Sequence, residues 1–249
     1  MKIIASSDFH GNLPYIKDEF DLFLVAGDVC PAHSHYYAFQ IEWLMNDFVE
    51  WVKSLPFAHP WSKVILVPGN HDFVLERINH EQIKEFEAAC DGRLKLLRHD
   101  MYEFEYPVSD GLDSLTIFGT PYCSIFGHWA FMINDEALDK KFSQIPEGVD
   151  ILVSHDSPNI GKIGAILEGV WKNDTTGNKI LAKHIERVHP KLFVSGHFHS
   201  GNHELQTIFD GVKAANVSYV DEDYYPTYQP LVVEYDEETR VFTHDLVFE

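Results

Sequence analysis

The sequence contains few cysteines and few basic residues. Its 249 residues include only Cys30, Cys90 and Cys123, and none of these belongs to a CxxC pair. Such sparse thiols provide neither a disulfide framework nor a thiolate zinc site, and they favour a reducing compartment. Lysine and arginine number 19 against 39 aspartates and glutamates, which gives a net charge of −20. An acidic excess of this size, with no basic cluster to reverse it locally, disfavours binding to extended nucleic acid or to anionic membranes.

Long apolar runs are missing as well. The N-terminal apolar run ends at polar residues after a few positions, and no stretch approaches the roughly 18 apolar residues that a membrane span needs. The composition, 45% hydrophobic and 14% aromatic, is nevertheless sufficient for a full core. Because we find no repeat, low-complexity tract or linker, we expect one domain over residues 1–249, soluble and cytoplasmic.

Short apolar runs alternate with segments of helical length. The runs are nearly continuous, which is typical of strands buried on both faces. They are Lys2–Ala5, Asp21–Ala26, Lys63–Val67, Asp150–Val153 and Lys191–Val194. The helical segments are Tyr36–Leu55, Asn79–Ala89, Asn134–Phe142 and Thr175–Val188. This alternation predicts layered α/β packing, whereas Tyr102–Phe118 and the region from Glu204 to Val247 predict antiparallel hairpins.

Polar residues follow each of the five apolar runs. In order, they are Asp8 and His10, then Asp28, then Asn70, His71 and Asp72, then His155 and Asp156, and finally His197 and His199. Ligand sites of open α/β sheets lie beyond the carboxyl ends of the strands, so these residues can meet although Asp8 and His199 are far apart in sequence. The sequence therefore predicts one polar site at this edge.

The side chains of this predicted site are carboxylates, imidazoles and an amide. A set without thiolate suits Mn, Fe, Zn or Ni, and its size indicates two ions, with a central carboxylate such as Asp28 able to bridge them. Glycines precede Asp28, Asn70 and His197, which removes a side chain where the backbone must approach a metal. In a chain with 15 histidines, any one of these polar groups could be a surface turn or a helix cap. Five such groups, each following an apolar run, favour a functional site.

The order Asp-x-His, Gly-Asp, Gly-Asn-His-Asp, His and Gly-His-x-His resembles the calcineurin-like metallophosphoesterase superfamily. That resemblance implies an α/β (α+β) metallophosphoesterase fold, a four-layer αββα sandwich of two mixed sheets flanked by helices. The segments 145–155 and 189–201 are similar to the class III cyclic-nucleotide phosphodiesterase-like branch that includes the metallophosphoesterase-domain (MPPED) proteins. The run from Ser154 to Pro158 departs from the His-Gly-Pro-Pro sequence usual in that branch.

The resemblance also implies a role for each residue. Asp8, His10 and His199 would bind one divalent ion, Asn70, His155 and His197 would bind a second, and Asp28 would bridge them. We expect Mn²⁺, with Fe, Zn and Ni as alternatives. In the family, a hydroxide held between the ions attacks phosphorus, and the equivalent of His71 gives a proton to the leaving oxygen. Asp72 would orient the His71 ring or cap a turn. The predicted substrate is a small phosphodiester, with a cyclic nucleotide as one candidate.

The sequence is also compatible with two other functions. A phosphomonoesterase or protein phosphatase shares the two-metal core, although Gly27-Asp28 is not followed by the Asp-Arg-Gly turn of the Ser/Thr phosphatases. A non-enzymatic metal-binding scaffold is the second alternative, although such relatives have lost the histidine that His71 supplies here. A DNA-repair nuclease is disfavoured because it needs a basic surface.

Several segments are candidate walls of the substrate pocket. The aromatic stretch from Thr120 to Phe131 contains Tyr122, Phe126, His128 and Trp129, which could stack a nucleobase or form core. The loop from Asp156 to Asp174 is another candidate. The segment from Pro31 to Tyr36, after Asp28, is a further candidate wall, although its His33 and His35 are expected to be solvated rather than ligating. The acidic segment from Asp221 to Tyr225 is expected to be a solvated loop.

Overall fold

The computed structural model describes residues 1–166, 176–201 and 203–243. Its strands are β1 (Lys2–Ser6), β2 (Leu22–Ala26), β3 (Lys63–Val67), β4 (Leu94–Leu96), β5 (Asp100–Val108), β6 (Gly111–Thr120), β7 (Cys123–Ser124), β8 (Met132–Ile133), β9 (Ile151–Ser154), β10 (Leu192–Ser195), β11 (Gln206–Ile208), β12 (Val212–Asn216), β13 (Leu231–Asp236) and β14 (Val241–Thr243). The helices are α1 (Tyr37–Trp43), a π-helical turn (Leu44–Phe48), α2 (Val49–Ser54), α3 (Phe73–Arg77), α4 (His80–Ala89), α5 (Asp135–Phe142), α6 (Lys179–Val188) and a 3₁₀ turn (Phe209–Gly211).

The strands form two mixed six-stranded sheets. The first has the order β14-β13-β1-β2-β3-β4, with β1 to β4 parallel and β13 and β14 antiparallel. The second has the order β11-β12-β10-β9-β6-β5, with a parallel centre and the antiparallel strands β11 and β5 at its edges. Strands β7 and β8 form a small separate pair.

Three apolar layers hold the sheets and helices together. One lies between the sheets and includes Ala5, Ile65 and Val194. A second lies under the helices from Tyr37 to Ala89, and a third lies under α5 and α6. Burial on both faces explains why the central strands are apolar at nearly every position. The predicted four-layer αββα sandwich of two mixed sheets is confirmed.

The predicted elements match the structure except in a few places. The five predicted strands are present with ends within one residue of those expected, and Tyr36–Leu55 forms consecutive helical segments joined by the π-helical turn. The last predicted helix begins late, at Lys179, because Asn178 caps it by accepting hydrogen bonds from the amides of Ile180 and Leu181. Part of the predicted segments around Thr175 and Val247 lies outside the described residues.

The C-terminal region is not a purely antiparallel meander. Strand β12 pairs antiparallel with β11 but parallel with β10. The tight hairpin through Phe209–Gly211 turns β12 back so that it runs in the same direction as β10. The parallel part of the second sheet therefore extends beyond the predicted β9 and β10 by one strand on each side, to β12 and to β6, which pairs parallel with β9.

The carboxyl ends of β1, β2, β3, β9 and β10 open on the same edge of the sandwich. Ser6 pairs with Val25 and Ala26 with Val67 in the first sheet, while Ser154 pairs with Ser195 in the second. Main-chain hydrogen bonds join the sheets there, from the Ser7 amide to the Val217 carbonyl at 2.9 Å. Within the described residues, no helix combines the length and apolar character needed to cross a membrane.

Candidate metal centre

Asp8, His10 and His199 form a first group of ligand atoms at this edge. Nε2 of His10 lies 3.1 Å from Nε2 of His199. Oδ1 of Asp8 lies 3.6 Å from that same His199 atom. The ligand atoms of all three residues lie within 4.8 Å of one another.

A second group lies beside the first. Nε2 of His155 lies 2.9 Å from Oδ1 of Asn70 and 3.4 Å from Oδ2 of Asp28. The ring of His197 is centred 5.1 Å from that of His155. Because Oδ2 of Asp28 also lies 3.7 Å from Nε2 of His10, this carboxylate stands between the two groups.

Backbone strain is concentrated at these residues. Asp8, His10, Asp28 and His197 have φ angles of 55°, 45°, 52° and 71°, in the left-handed region that non-glycine residues rarely adopt. Such conformations cost on the order of 1–3 kcal/mol each and persist only where the surroundings enforce them. The sequence holds no clear signal of this strain.

Three glycines make room for the ligands, as the sequence predicts. A Cβ atom at Gly27 would lie 2.5 Å from Nδ1 of His155, closer than packing allows. At the other two positions a Cβ would collide with the carboxylate itself. The pairs are Gly27 with His155, Gly69 with Asp28, and Gly196 with Asp8.

Hydrogen bonds fix the orientation of two imidazoles. Nδ1 of His155 lies 2.8 Å from the carbonyl oxygen of Ala26, and Nδ1 of His199 lies 3.0 Å from that of Asp221. Since a carbonyl only accepts, both Nδ1 atoms donate, and each ring turns Nε2 toward the ligand groups. Nε2 of His155 then faces the amide oxygen of Asn70, and an ion bound between the two atoms would replace the proton on Nε2.

The charge states suit metal binding. Burial alone would raise the pKa of Asp8, but the hydrogen bond and charge of His199 hold it well below its usual range. Burial also opposes ionisation of Asp28, yet neighbouring imidazoles, His155 first, keep its pKa well below normal. Burial lowers the pKa of His10 and of His197 to about 3, so both are neutral at pH 7. For His155 the Asp28 carboxylate outweighs burial and raises the pKa to about 10, so the site favours a positive charge on this ring, which a proton supplies and a bound metal ion would replace.

Asp72 is buried and connects two ligand loops. Its carboxylate accepts hydrogen bonds from the amides of Cys30 and Gly69, both at 2.8 Å, and from the amide of Val29 at 3.3 Å. It makes no side-chain cap on α3. Burial and the nearby Asp28 raise its pKa to about 6. Asp72 thus holds the loop after β2 against the loop after β3.

His71 lines an open cleft above the ligand groups. The cleft has a volume of about 230 Å³. Its lining residues are Asp28, Asn70, His71, Phe126, Trp129, His197, His199, Glu222 and Tyr224. One ring nitrogen of His71 lies within 4.8 Å of ligand atoms of His10 and Asp28. Burial lowers the pKa of His71 from its usual value.

The candidate pocket walls fall into different places. Phe126 and Trp129 line the cleft, whereas Tyr122 packs against Phe131 and His99 away from it. His128 is exposed. The loop expected from Asp156 to Asp174 is described only to residue 166, with its positions 167–174 outside the described residues.

Several residues expected to be solvated contribute to the site. The Tyr224 ring is centred 4.6 Å from that of His10, and Glu222 accepts a 2.7 Å hydrogen bond from the Ser200 hydroxyl at the cleft. His35 lies against His71, whereas His33 is exposed beside Phe39. Acidic and aromatic residue types alone do not reveal which loop folds over a site, so the sequence carries no signal for the contacts of Glu222 and Tyr224.

Nitrogen and oxygen donors that converge without a thiolate fit a pair of divalent transition-metal ions. The Asp28 carboxylate between two ligand groups, the neutral imidazoles and the glycine cradle all agree with such a centre. These observations do not select one metal.

Comparison with known proteins shows to which family the chain belongs. A family model for the calcineurin-like phosphoesterases matches residues 1–201. Metallophosphoesterase domain-containing protein 1 from Homo sapiens and from Mus musculus is in each case 26% identical over 249 residues, covering 94% of this chain and 70% of the relative. The solved structure of TT1561 from Thermus thermophilus is 11% identical with a TM-score of 0.54, and the match covers 98% of this chain and 97% of that one. The members of the calcineurin-like phosphoesterase superfamily are phosphoester hydrolases that use a dinuclear site for divalent metal ions. The chain therefore belongs to the calcineurin-like phosphoesterase family.

Proposed function

We propose that this chain hydrolyses a small phosphodiester at a dinuclear site, with His71 as the general acid. The observation that carries the proposal is the place of Asp28, whose Oδ2 lies 3.7 Å from His10 in one ligand group and 3.4 Å from His155 in the other. A carboxylate shared in this way suits two ions held side by side.

The proposed ligands follow from the two groups. Asp8, His10 and His199 would hold one ion and Asn70, His155 and His197 the other, with Asp28 common to both. When bound, the ions would neutralise charge on the phosphoryl oxygens and lower the pKa of a water that attacks phosphorus. Mn²⁺ is the ion that we propose.

The chain's own residues complete the chemistry. His71 would donate a proton to the ester oxygen as it leaves, because an alkoxide is a poor leaving group without one. Asp72, through its hydrogen bonds to both ligand loops, would keep Asp28 and Asn70 in register. Tyr224 and Trp129 would shield the cleft from bulk water on two sides.

The charge of the cleft favours a diester over a monoester. Among the described residues that line it, none is lysine or arginine, and Glu222 adds a carboxylate at the rim. A monoester carries up to two negative charges at neutral pH, whereas a diester carries one and is repelled less by this rim. A second ester group also has room beside the cleft, in a cavity of about 540 Å³ that shares Phe126, His197 and Glu222 with it and is also lined by Ile166 and Phe198.

The test compares two chromogenic esters. Protein loaded with Mn²⁺ is assayed with bis(4-nitrophenyl) phosphate and with 4-nitrophenyl phosphate, and we expect higher kcat/KM for the diester. A preference for the monoester would support the phosphatase alternative instead. Protein that binds two ions and turns over neither ester would be a scaffold.

A matched pair of variants tests whether turnover comes from this centre. Asp28→Asn removes the proposed bridge, and Asp91→Asn makes the same change at an exposed aspartate with nearly the same φ, 53° against 52°. We expect metal-dependent turnover to be lost only in Asp28→Asn. Equal activity in both variants would place the hydrolysis elsewhere.

A further inference from the structure

His71 has a further neighbour that belongs to neither ligand group. Nε2 of His35 lies 3.2 Å from Nδ1 of His71, within hydrogen-bonding distance. His35 belongs to the segment that follows Asp28 and β2, whereas His71 follows β3. Two strand-end loops thus bring one imidazole against another.

An aromatic wall holds both rings. The His71 ring is centred 4.4 Å from Trp129 at an angle of 30°, and His35 meets Trp129 edge-on at 5.1 Å and 86°. Phe73 lies 5.1 Å from His35 on another side. Gly127 makes this position of the indole possible, since a Cβ there would lie 2.8 Å from Nε1 of Trp129. Trp129 therefore supports the two imidazoles and is less available to stack on a substrate.

A buried amide fixes the backbone beneath the pair. Nε2 of Gln40 donates to the carbonyl oxygen of His71 at 2.8 Å and to that of Ser34 at 3.4 Å. Its Oε1 accepts from the amide of Val74 at 3.0 Å. The residue before His35 and the residue His71 itself are therefore tied to one side chain, so the contact between the two rings is built into the fold.

We propose that His35 is a positioning residue for His71, accepting a hydrogen bond from Nδ1–H of His71 and thereby directing Nε2 of His71 to the cleft. The inference rests on the proposed general-acid function of His71. It assigns a role to a histidine that would otherwise be a half-buried surface residue.

The proton balance is simple. Protonated His71 carries hydrogen on both nitrogens, and Nδ1–H bonds to the bare Nε2 of His35, whose own proton stays on Nδ1. The proton on Nε2 of His71 passes to the ester oxygen as its bond to phosphorus breaks. His71 is then the neutral Nδ1–H tautomer, and its hydrogen bond to His35 is unchanged. Without an acceptor at Nδ1, the ring could turn or place its single remaining proton on either nitrogen.

The first test uses variants that separate hydrogen bonding from packing. His35→Phe keeps an aromatic ring without an acceptor, His35→Gln restores an acceptor at similar reach, and His33→Ala changes the exposed histidine of the same segment. Each is assayed with bis(4-nitrophenyl) phosphate and with diphenyl phosphate, whose phenoxide is the more basic leaving group.

We expect kcat of His35→Phe to fall about 10-fold or more on diphenyl phosphate but only about 3-fold or less on the nitrophenyl ester, because proton donation matters most for the basic leaving group. His35→Gln should recover most of this loss, and His33→Ala should behave as wild type. An equal loss on both esters, or no recovery in His35→Gln, would overturn the proposal.

A spectroscopic measurement keeps the inference independent of turnover. In Zn²⁺-loaded protein labelled with ¹⁵N histidine, the imidazole nitrogen shifts report the neutral tautomer of His71. We expect Nδ1–H in wild type and His35→Gln, and a shift toward Nε2–H in His35→Phe. An Nε2–H ring in wild type, or no change in His35→Phe, would refute the role of His35. If wild type hydrolyses neither ester, the proposed function fails, while the tautomer still decides on His35.

Discussion

Single residues at the site are held in conformations that their neighbours enforce. Four of the seven proposed ligands are non-glycine residues with positive φ. Asp8 accepts hydrogen bonds from the hydroxyls of Ser7 and Ser218 at 2.5 and 2.8 Å and from the amide of His197 at 3.0 Å. Such a network fixes a carboxylate before any ion arrives, which reduces the cost of ordering it on binding. Replacing one residue here should therefore change metal affinity before it changes the fold.

The first prediction concerns His71. His71→Ala should leave metal content near normal and lower turnover by on the order of a hundredfold or more, since general acids contribute about 10²–10⁴. Metal content measured by elemental analysis, together with kcat, checks it. Because a ring nitrogen of His71 also lies near His10 and Asp28, loss of an ion in this variant would make His71 a ligand instead.

The second prediction concerns Gly196. In Gly196→Ala the new methyl group collides with the Asp8 carboxylate and the Ser7 hydroxyl, so metal affinity should fall at least about tenfold, as for other disturbed outer-shell contacts. Gly119→Ala is the control, because the atoms nearest to its methyl group belong to Leu97 and Val67 in the core. That variant should lose about 1–3 kcal/mol of stability but bind metal normally. Titration calorimetry and urea unfolding separate the two effects, and normal affinity in Gly196→Ala would contradict the argument.

At the scale of elements, helix caps link the fold to the site. Oδ1 of Asn178 accepts from the amides of Ile180 and Leu181 at the start of α6. Its Nδ2 donates to Asp156 at 2.8 Å and to the Ser124 hydroxyl at 3.1 Å. One buried side chain thus caps a helix and joins it to the end of β7 and to the loop after β9.

We expect Asn178→Ala to lower the free energy of unfolding by about 2–3 kcal/mol, because it removes a cap and leaves the buried Asp156 with one partner fewer. The matched variant is Asn79→Ala at α4, an exposed cap whose loss should cost about 1 kcal/mol. Urea denaturation of both variants measures the difference. Equal losses would show that the contact with Asp156 adds nothing.

His99, in the turn between β4 and β5, makes the stability of the fold depend on pH. Burial, and then the charge of Lys141, lower the pKa of His99 to about 4. Because an unfolded histidine titrates near 6.5, the unfolded chain binds this proton first as pH falls, so the stability that His99 contributes is lost between about pH 6.5 and pH 4.

His99→Asn should flatten the fall of stability over that pH range relative to wild type. Asparagine tolerates the positive φ of 69° at this position, so the backbone need not change. Urea unfolding at pH 7.5, 6.0 and 5.0 provides the comparison. Parallel pH profiles for the two proteins would show that His99 is not buried in its neutral form.

The elements that the sequence predicts best are those with a strong local signal. β1, β2 and β3 are short apolar runs followed by Gly, Asp or His, and both the strands and the residues after them are where the pattern places them. Parallel pairing of β12 and the packing of Tyr224 on His10 depend on contacts between distant segments. Local periodicity cannot encode such pairings, which is why the cleft wall and the contact of His35 with His71 appear only in the structure.

At the scale of the whole molecule, the negative charge of the chain leads to a prediction about stabilisation by metal ions. The chain carries a net charge of −20 and buries the ionised Asp8 and Asp28 side by side at 0% and 2% exposure. Ions that bind only the folded state stabilise it. At a free ion concentration of 100 times Kd the gain is about 2.7 kcal/mol, which raises the Tm of a chain of this size by roughly 5–10 °C. We expect Mn²⁺ to produce this rise, and NaCl at equal ionic strength to produce less, because salt only screens the surface repulsion. Asp28→Asn should lose the Mn²⁺-specific part, whereas Asp91→Asn should retain it. Differential scanning fluorimetry measures all four conditions, and an equal rise with NaCl, or an unchanged Mn²⁺ response in Asp28→Asn, would mean that this site does not bind the ions.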